Sequence, residues 1–154
     1  MKTLYFDIFT DYFQFYIQDE SVDGINGKSW TPDACKRSLA VEKGTVGIGT
    51  VRNMDAGVAV EIHKAMPEQN YIAWDYVVEC GLEVPSGYLV IAGCTDYFPD
   101  AKRIKLPKGQ YRVRVYYGAQ NDISEDGFDG NDHYLIKIWP STDASIIIIK
   151  QRSA

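Results

Sequence analysis

The stretch "YRVRVYY", residues 111–117, places Tyr111, Val113, Val115 and Tyr117 on one side of an extended chain and Arg112, Arg114 and Tyr116 on the other. Side chains alternate across a strand, so this pattern reads as a strand with one face turned to a core. The two arginines share a face, where cross-strand pairing with carboxylates of a neighbouring strand is the expected arrangement. "DYFQFYIQD", residues 11–19, repeats the alternation, with Phe13, Phe15 and Ile17 on the apolar side and Tyr12, Gln14, Tyr16 and Gln18 on the polar side. The same reading gives strands in "TLYFDIF" and near 45–52, 57–63, 75–82, 88–94, 103–106, 134–139 and 145–150.

Turn signals separate these segments: "RNMDAG" at 52–57, "VPSG" at 84–87 and "LPKG" at 106–109. Short strands at such spacing predict an all-β, antiparallel β-sandwich of about 8–10 strands. One segment departs from the pattern. "TPDACKRSLAVEKG" offers Thr31 as N-cap, Pro32 in the first turn and Gly44 as a stop, with Cys35 and Leu39 on one face, which predicts one short helix over an opening of the sandwich. Residues 20–29 read as a flexible loop, and Trp30, Trp74 and Trp139 as packing anchors.

With 154 residues the chain suits a single domain over 1–154, large enough to bury a core without staples. Its 45% hydrophobic and 24% charged residues exclude general disorder. Asp7 and Asp11 interrupt the apolar start, so it is read as strand instead of signal peptide. No apolar run reaches the roughly 20 residues that cross a membrane. Cys35, Cys80 and Cys94 have no CxxC spacing, and a reducing cytoplasm is the expected location.

The net charge of −5 is localised. Residues 121–132 carry Asp122, Glu125, Asp126, Asp129 and Asp132 and no Lys or Arg; removing those five from 21 acids leaves 16, equal to the 16 bases. A direct nucleic-acid partner is not expected, because phosphate binding needs a basic surface.

Three readings of "GAQNDISEDGFDGNDHYL", residues 118–135, stand side by side. As a calcium loop, Asp122, Ser124, Asp126 and Gly127 fit the first half of an EF-hand, but His133 stands where a bidentate Glu belongs, and the flanks read as strands. As a solvated hairpin, Gly127 and Gly130 permit turns and the acids discourage edge-to-edge association. As a partner site, the carboxylates attract a basic protein surface and Phe128 serves as an apolar anchor.

Catalytic constellations are scarce. His63 and His133 lie in or beside strands without a local nucleophile, "GTVGIGTV" lacks a phosphate-binding helix, and Cys80 reads as core. No catalytic residue, metal or cofactor is expected.

"DYFQFYIQD", "SWTPDA" at 29–34, "VRNMDAGVAVEI" at 51–62, "LPKGQYRVRVYY" at 106–117 and "HYLIKIWP" at 133–140 together resemble the competence protein J family of small bacterial β-proteins. The resemblance covers roughly residues 11–140, identifies Trp30, Arg52, Asn53, Pro107, Gly109 and Tyr111 as framework positions, and implies inhibition of a nuclease involved in DNA uptake. It carries over no inhibitory residue. The expected function is therefore a non-catalytic protein-binding module, an inhibitor or immunity-like partner of a nuclease or toxin with a basic cleft. Asp122, Glu125, Asp126, Phe128, Asp129 and Asp132 are its expected contact residues. A small-ligand or calcium-binding β-sandwich is the alternative.

Overall fold

In this computed structural model, which describes residues 1–153, eleven strands form two sheets. The first sheet has the order β1 (Lys2–Phe9), β5 (Asp55–Ile62), β10 (His133–Pro140), β9 (Gly109–Gly118), β6 (Tyr76–Val84) and β11 (Ile147–Lys150). The second has the order β3 (Leu39–Glu42), β4 (Thr45–Gly49), β2 (Gln14–Asp19), β7 (Tyr88–Gly93) and β8 (Lys102–Lys105). The inner faces meet as sequence periodicity dictates: Phe15 and Ile17 of β2 join Val113, Val115 and Tyr117 of β9 in one buried cluster. Near one end of this core Phe15, Tyr134, Tyr117 and Tyr76 make successive edge-to-face contacts at 5.7, 5.7 and 5.1 Å, worth about 0.5–1.5 kcal/mol each beyond their buried area.

Three details correct the sequence expectations. The sandwich is not wholly antiparallel: β5 and β10 pair in parallel, with Gly57 opposite His133 and Ile62 opposite Ile138. Because β9 and β10 insert as an antiparallel pair between β5 and β6, the latter two run the same way. Residues 63–75 must then cross back between them, as parallel connections require. The helix α1 spans only Pro32–Arg37: Thr31 caps it by accepting from the Ala34 amide at 3.2 Å, but Ser38 turns left-handed (φ 55°) and ends it. Leu39 then begins β3, an eleventh strand, while Cys35 is exposed. Residues 20–29 are organised by a 3-10 turn at Gly27–Ser29, whose capping box joins Asn26 and Ser29.

Arg112, Arg114 and Tyr116 are buried as fully as the apolar side of β9. The crossing segment covers them from one direction, with the Glu68 carbonyl 3.3 Å from Arg114 Nη1, and the stretch leading into β11 covers them from the other, with the Asp143 carbonyl 3.2 Å from Arg112 Nη1. Beneath that second cover sits Gly81: a Cβ there would lie 2.8 Å from Ala144 Cα. The anticipated cross-strand pairing is made by Glu79, whose two oxygens accept from Arg112 Nε at 2.9 Å and Arg114 Nε at 2.7 Å.

At the end of the sandwich where β2 finishes, Asp19 is buried and accepts from the Ser21 amide (3.0 Å) and hydroxyl (2.5 Å) and from the Ser86 amide (3.0 Å) and hydroxyl (2.7 Å). Burial alone would push the carboxyl up, but these hydroxyls and amides outweigh it and hold Asp19 below the ordinary value. Since the folded pKa lies below the unfolded one, the stabilisation is complete above the unfolded value of about 3.9 and is lost as pH falls through the folded pKa. Asp19→Asn is expected to cost about 1–3 kcal/mol at neutral pH. In parallel thermal melts the gap between the variant and the unsubstituted protein should close below about pH 4.

Candidate functional site

The other end of the sandwich gathers the loops that leave β1, β4 and β9. The β9–β10 loop is an ordered hairpin tip. An isolated antiparallel bridge joins Ile123 and Gly130, and the Ser124 amide donates to the Asp129 carbonyl at 2.7 Å. Gly127 makes the turn with φ 77°, which a side chain would resist. Asp126 fixes that turn by accepting from the Ser124 hydroxyl at 2.6 Å and the Phe128 amide at 3.0 Å. Those bonds hold its carboxyl below the ordinary value, so it carries full charge near neutrality. Asn131 Nδ2 donates to Asp122 at 2.8 Å across the base of the loop.

Arg52 seats the hairpin. Its Nε donates to Asp132 at 2.5 Å, and its two terminal nitrogens donate to the carbonyls of Phe128 (3.3 Å) and Asp55 (3.2 Å). Asp132 also accepts from the Tyr134 hydroxyl at 2.9 Å. Close passage explains Gly130: a Cβ there would lie 2.8 Å from Arg52 Nε. The Arg52 carbonyl in turn accepts from the Thr10 hydroxyl at 2.7 Å and the Thr50 hydroxyl at 3.0 Å, which ties in the β1–β2 connection. There Tyr12 and Phe13 are 69% and 53% exposed, and both are left-handed (φ 57° and 59°). A non-glycine residue in that region costs of order 1–3 kcal/mol, and such strain concentrates at sites of function.

The six residues singled out from sequence divide. Asp122, Glu125, Asp126 and Asp129 are exposed, and Phe128 is 63% exposed. Asp122 and Asp129, with Ser124 and Asn131, line a shallow hollow of about 480 Å³. Asp132 is buried against Arg52 and belongs to the scaffold. Sequence alternation assigned Phe13 to the core, whereas the structure turns it outward because a 3-10 turn at Asp11–Phe13 breaks the strand before Gln14. Alternation places Tyr12 on the polar side, where it is exposed, but gives no such signal for Phe13, and Arg52 was legible only as a turn residue and a framework position of the family resemblance.

Among the described residues no group of three or more His, Cys, Asp or Glu side chains is arranged to hold a metal ion. His63 Nε2 lies 2.8 Å from Glu61, which Lys137 approaches at 3.8 Å; among the described residues no hydroxyl or thiol is hydrogen-bonded to this imidazole. His133 Nδ1 lies 3.0 Å from the Asn131 carbonyl, and its ring packs 5.1 Å from Trp74. Burial pushes the Cys80 thiol up to about 12, far from a reactive thiolate. All three cysteines are free. No helix among the described residues is long and apolar enough to cross a membrane.

No protein-family model and no curated sequence matches the chain. Solved structures match its fold. One is ComJ from Bacillus subtilis, described as an inhibitor of the DNA-degrading activity of NucA: 19% identity, 92% of this chain and 96% of that one, TM-score 0.64. Another is the protein of crocagin biosynthetic gene J, at 17% identity over 90% of this chain and 96% of that one, TM-score 0.58. The likeness to ComJ agrees with the competence protein J resemblance carried by the motifs, and at these identities it establishes the fold.

Proposed function

We propose that this chain is a non-catalytic, cytoplasmic inhibitor that binds a nuclease or toxin-like enzyme through its acidic tip and blocks a basic cleft. The observation carrying this reading is the pairing of four exposed carboxylates, Asp122, Glu125, Asp126 and Asp129, with exposed aromatic side chains on loops joined through Arg52. Clefts that receive nucleic-acid phosphates are cationic, so carboxylates can substitute for phosphate charge and steer the encounter. Phe128, Phe13 and Tyr12 would supply the desolvated anchors on which affinity depends. The shared fold with an inhibitor of a DNA-degrading enzyme supports the same direction. The three free cysteines, two of them exposed, support the compartment.

The protein used as bait in native lysate should retain an enzyme whose DNA-degrading or toxic activity falls when this chain is added. Asp122→Asn/Glu125→Gln/Asp129→Asn should slow association by about tenfold at low salt, with the thermal midpoint nearly unchanged. Phe13→Gly relieves left-handed backbone strain, so stability should hold or rise while dissociation accelerates about tenfold. An on-rate insensitive to both salt and the triple substitution removes the tip from the interface.

A further inference from the structure

Strand β2 buries Phe15 and Ile17 between the sheets, so Gln14, Tyr16 and Gln18 project together from the outer face of the second sheet. They help line a groove of about 590 Å³, within the range that holds small ligands. One wall is the ordered loop carrying Asp23, Ile25 and Trp30. Gly47 lets that wall lean on the sheet: a Cβ there would lie 2.5 Å from Ile25 Cδ1 and 3.1 Å from Trp30 Cζ2. Trp30 Nε1 donates to Gln14 Oε1 at 2.9 Å, which orients the Gln14 amide and fixes the indole.

Unused hydrogen-bonding capacity converges on the floor. Gln14 spends its oxygen on Trp30 and keeps its amide donors. Gln18 donates to the Val22 carbonyl at 2.7 Å and keeps Oε1 as an acceptor. Among the described residues the Tyr16 hydroxyl makes no hydrogen bond, and burial, with Asp96 and Cys94 beside it, pushes this group up so that it remains a protonated donor. Asp96 accepts from the Gly93 amide at 2.8 Å through one oxygen and keeps the other. The lining contains Asp23 and Asp96 and no Lys, Arg or His, which disfavours phosphates and other anions.

We infer that this groove binds a neutral saccharide. Sugar hydroxyls both donate and accept, and so match a row of amide, phenol and carboxylate groups with open valence, while the apolar C–H face of a sugar ring suits the indole wall. A cationic amine would satisfy the carboxylates but leave the Gln14 and Tyr16 donors unmatched.

The test is titration of the full chain with maltotriose, cellotriose, mannotriose, xylotriose and chitotriose up to about 10 mM, a range that detects a Kd near 1 mM. Binding is followed by calorimetry and by tryptophan fluorescence. At least one trisaccharide should bind saturably. Tyr16→Phe and Gln14→Ala should each weaken it about tenfold, and Tyr16→Phe should leave the thermal midpoint in place. The assignment is overturned if none of the five binds, if binding ignores both substitutions, or if spermidine saturates the same groove where sugars do not.

Discussion

Glu79→Ala is expected to destabilise the protein by about 3–5 kcal/mol, read as a fall in the urea midpoint. Glu79 is buried on β6, directly across from Arg114 on β9, and its two oxygens each take one arginine Nε. Glu79 is the one buried carboxylate shared by the two guanidinium groups; the half-exposed Asp143 carboxylate approaches Arg112 Nη1 at 3.8 Å, and neighbouring groups add to the compensation. Arg114 stacks 4.9 Å from the ring centre of Trp139 and 5.3 Å from that of Tyr71, and donates to the Tyr116 hydroxyl at 3.1 Å. Arg112 donates to the carbonyls of Asp143 and Ser145. Its Nη2 has no partner among the described residues, so its arrangement is already costly before Glu79 is removed. Without Glu79, Arg114 loses its carboxylate partner and Arg112 keeps only the half-exposed Asp143, in a site that water reaches poorly. Glu79→Gln keeps one acceptor and should lose less than Ala. A loss below about 1 kcal/mol for Ala would show that the ion triad does little to hold the covering segments in place.

The second large effect separates acids that composition treats as equal. Asp132→Ala should cost about 3–5 kcal/mol, because it strands Arg52 in a buried position and removes the acceptor of the Tyr134 hydroxyl. Asp122→Asn, Glu125→Gln and Asp129→Asn lie in solvent and should each stay within about 0.5 kcal/mol of the unsubstituted protein. Denaturation midpoints on the four variants decide the matter. Equal losses at Asp132 and Asp129 would mean that the hairpin is not seated on Arg52.

The strands of this fold were legible because a half-buried sheet writes its geometry into every second residue, as "YRVRVYY" does. That logic fails where both faces are covered. Arg112 and Arg114 read as an outer, polar row, and only the path of residues 63–75 and 141–150 reveals that row as an interior one. Periodicity also says nothing of strand direction, so the parallel β5–β10 pair could not be inferred. For the site, the clustering of charge was plain in the sequence. Which acid turned inward was not, since Asp132 differs from its neighbours only through Arg52, 80 residues away along the chain. Phe13 was hidden for a related reason: alternation implies a continuous strand, and the left-handed break at Tyr12 interrupts it.

That 80-residue reach between Arg52 and Asp132 also bears on synthesis. Arg52 emerges from the ribosome long before its counter-ion exists, and the parallel strands holding the two ends in place cannot pair until β10 has been translated. Sheets closed by such distant pairings fold slowly, in the millisecond-to-second range. A nascent or truncated chain, or a synthetic peptide of residues 119–132, would therefore display the negative charges without the rigid pedestal and aromatic flank that give them a shape.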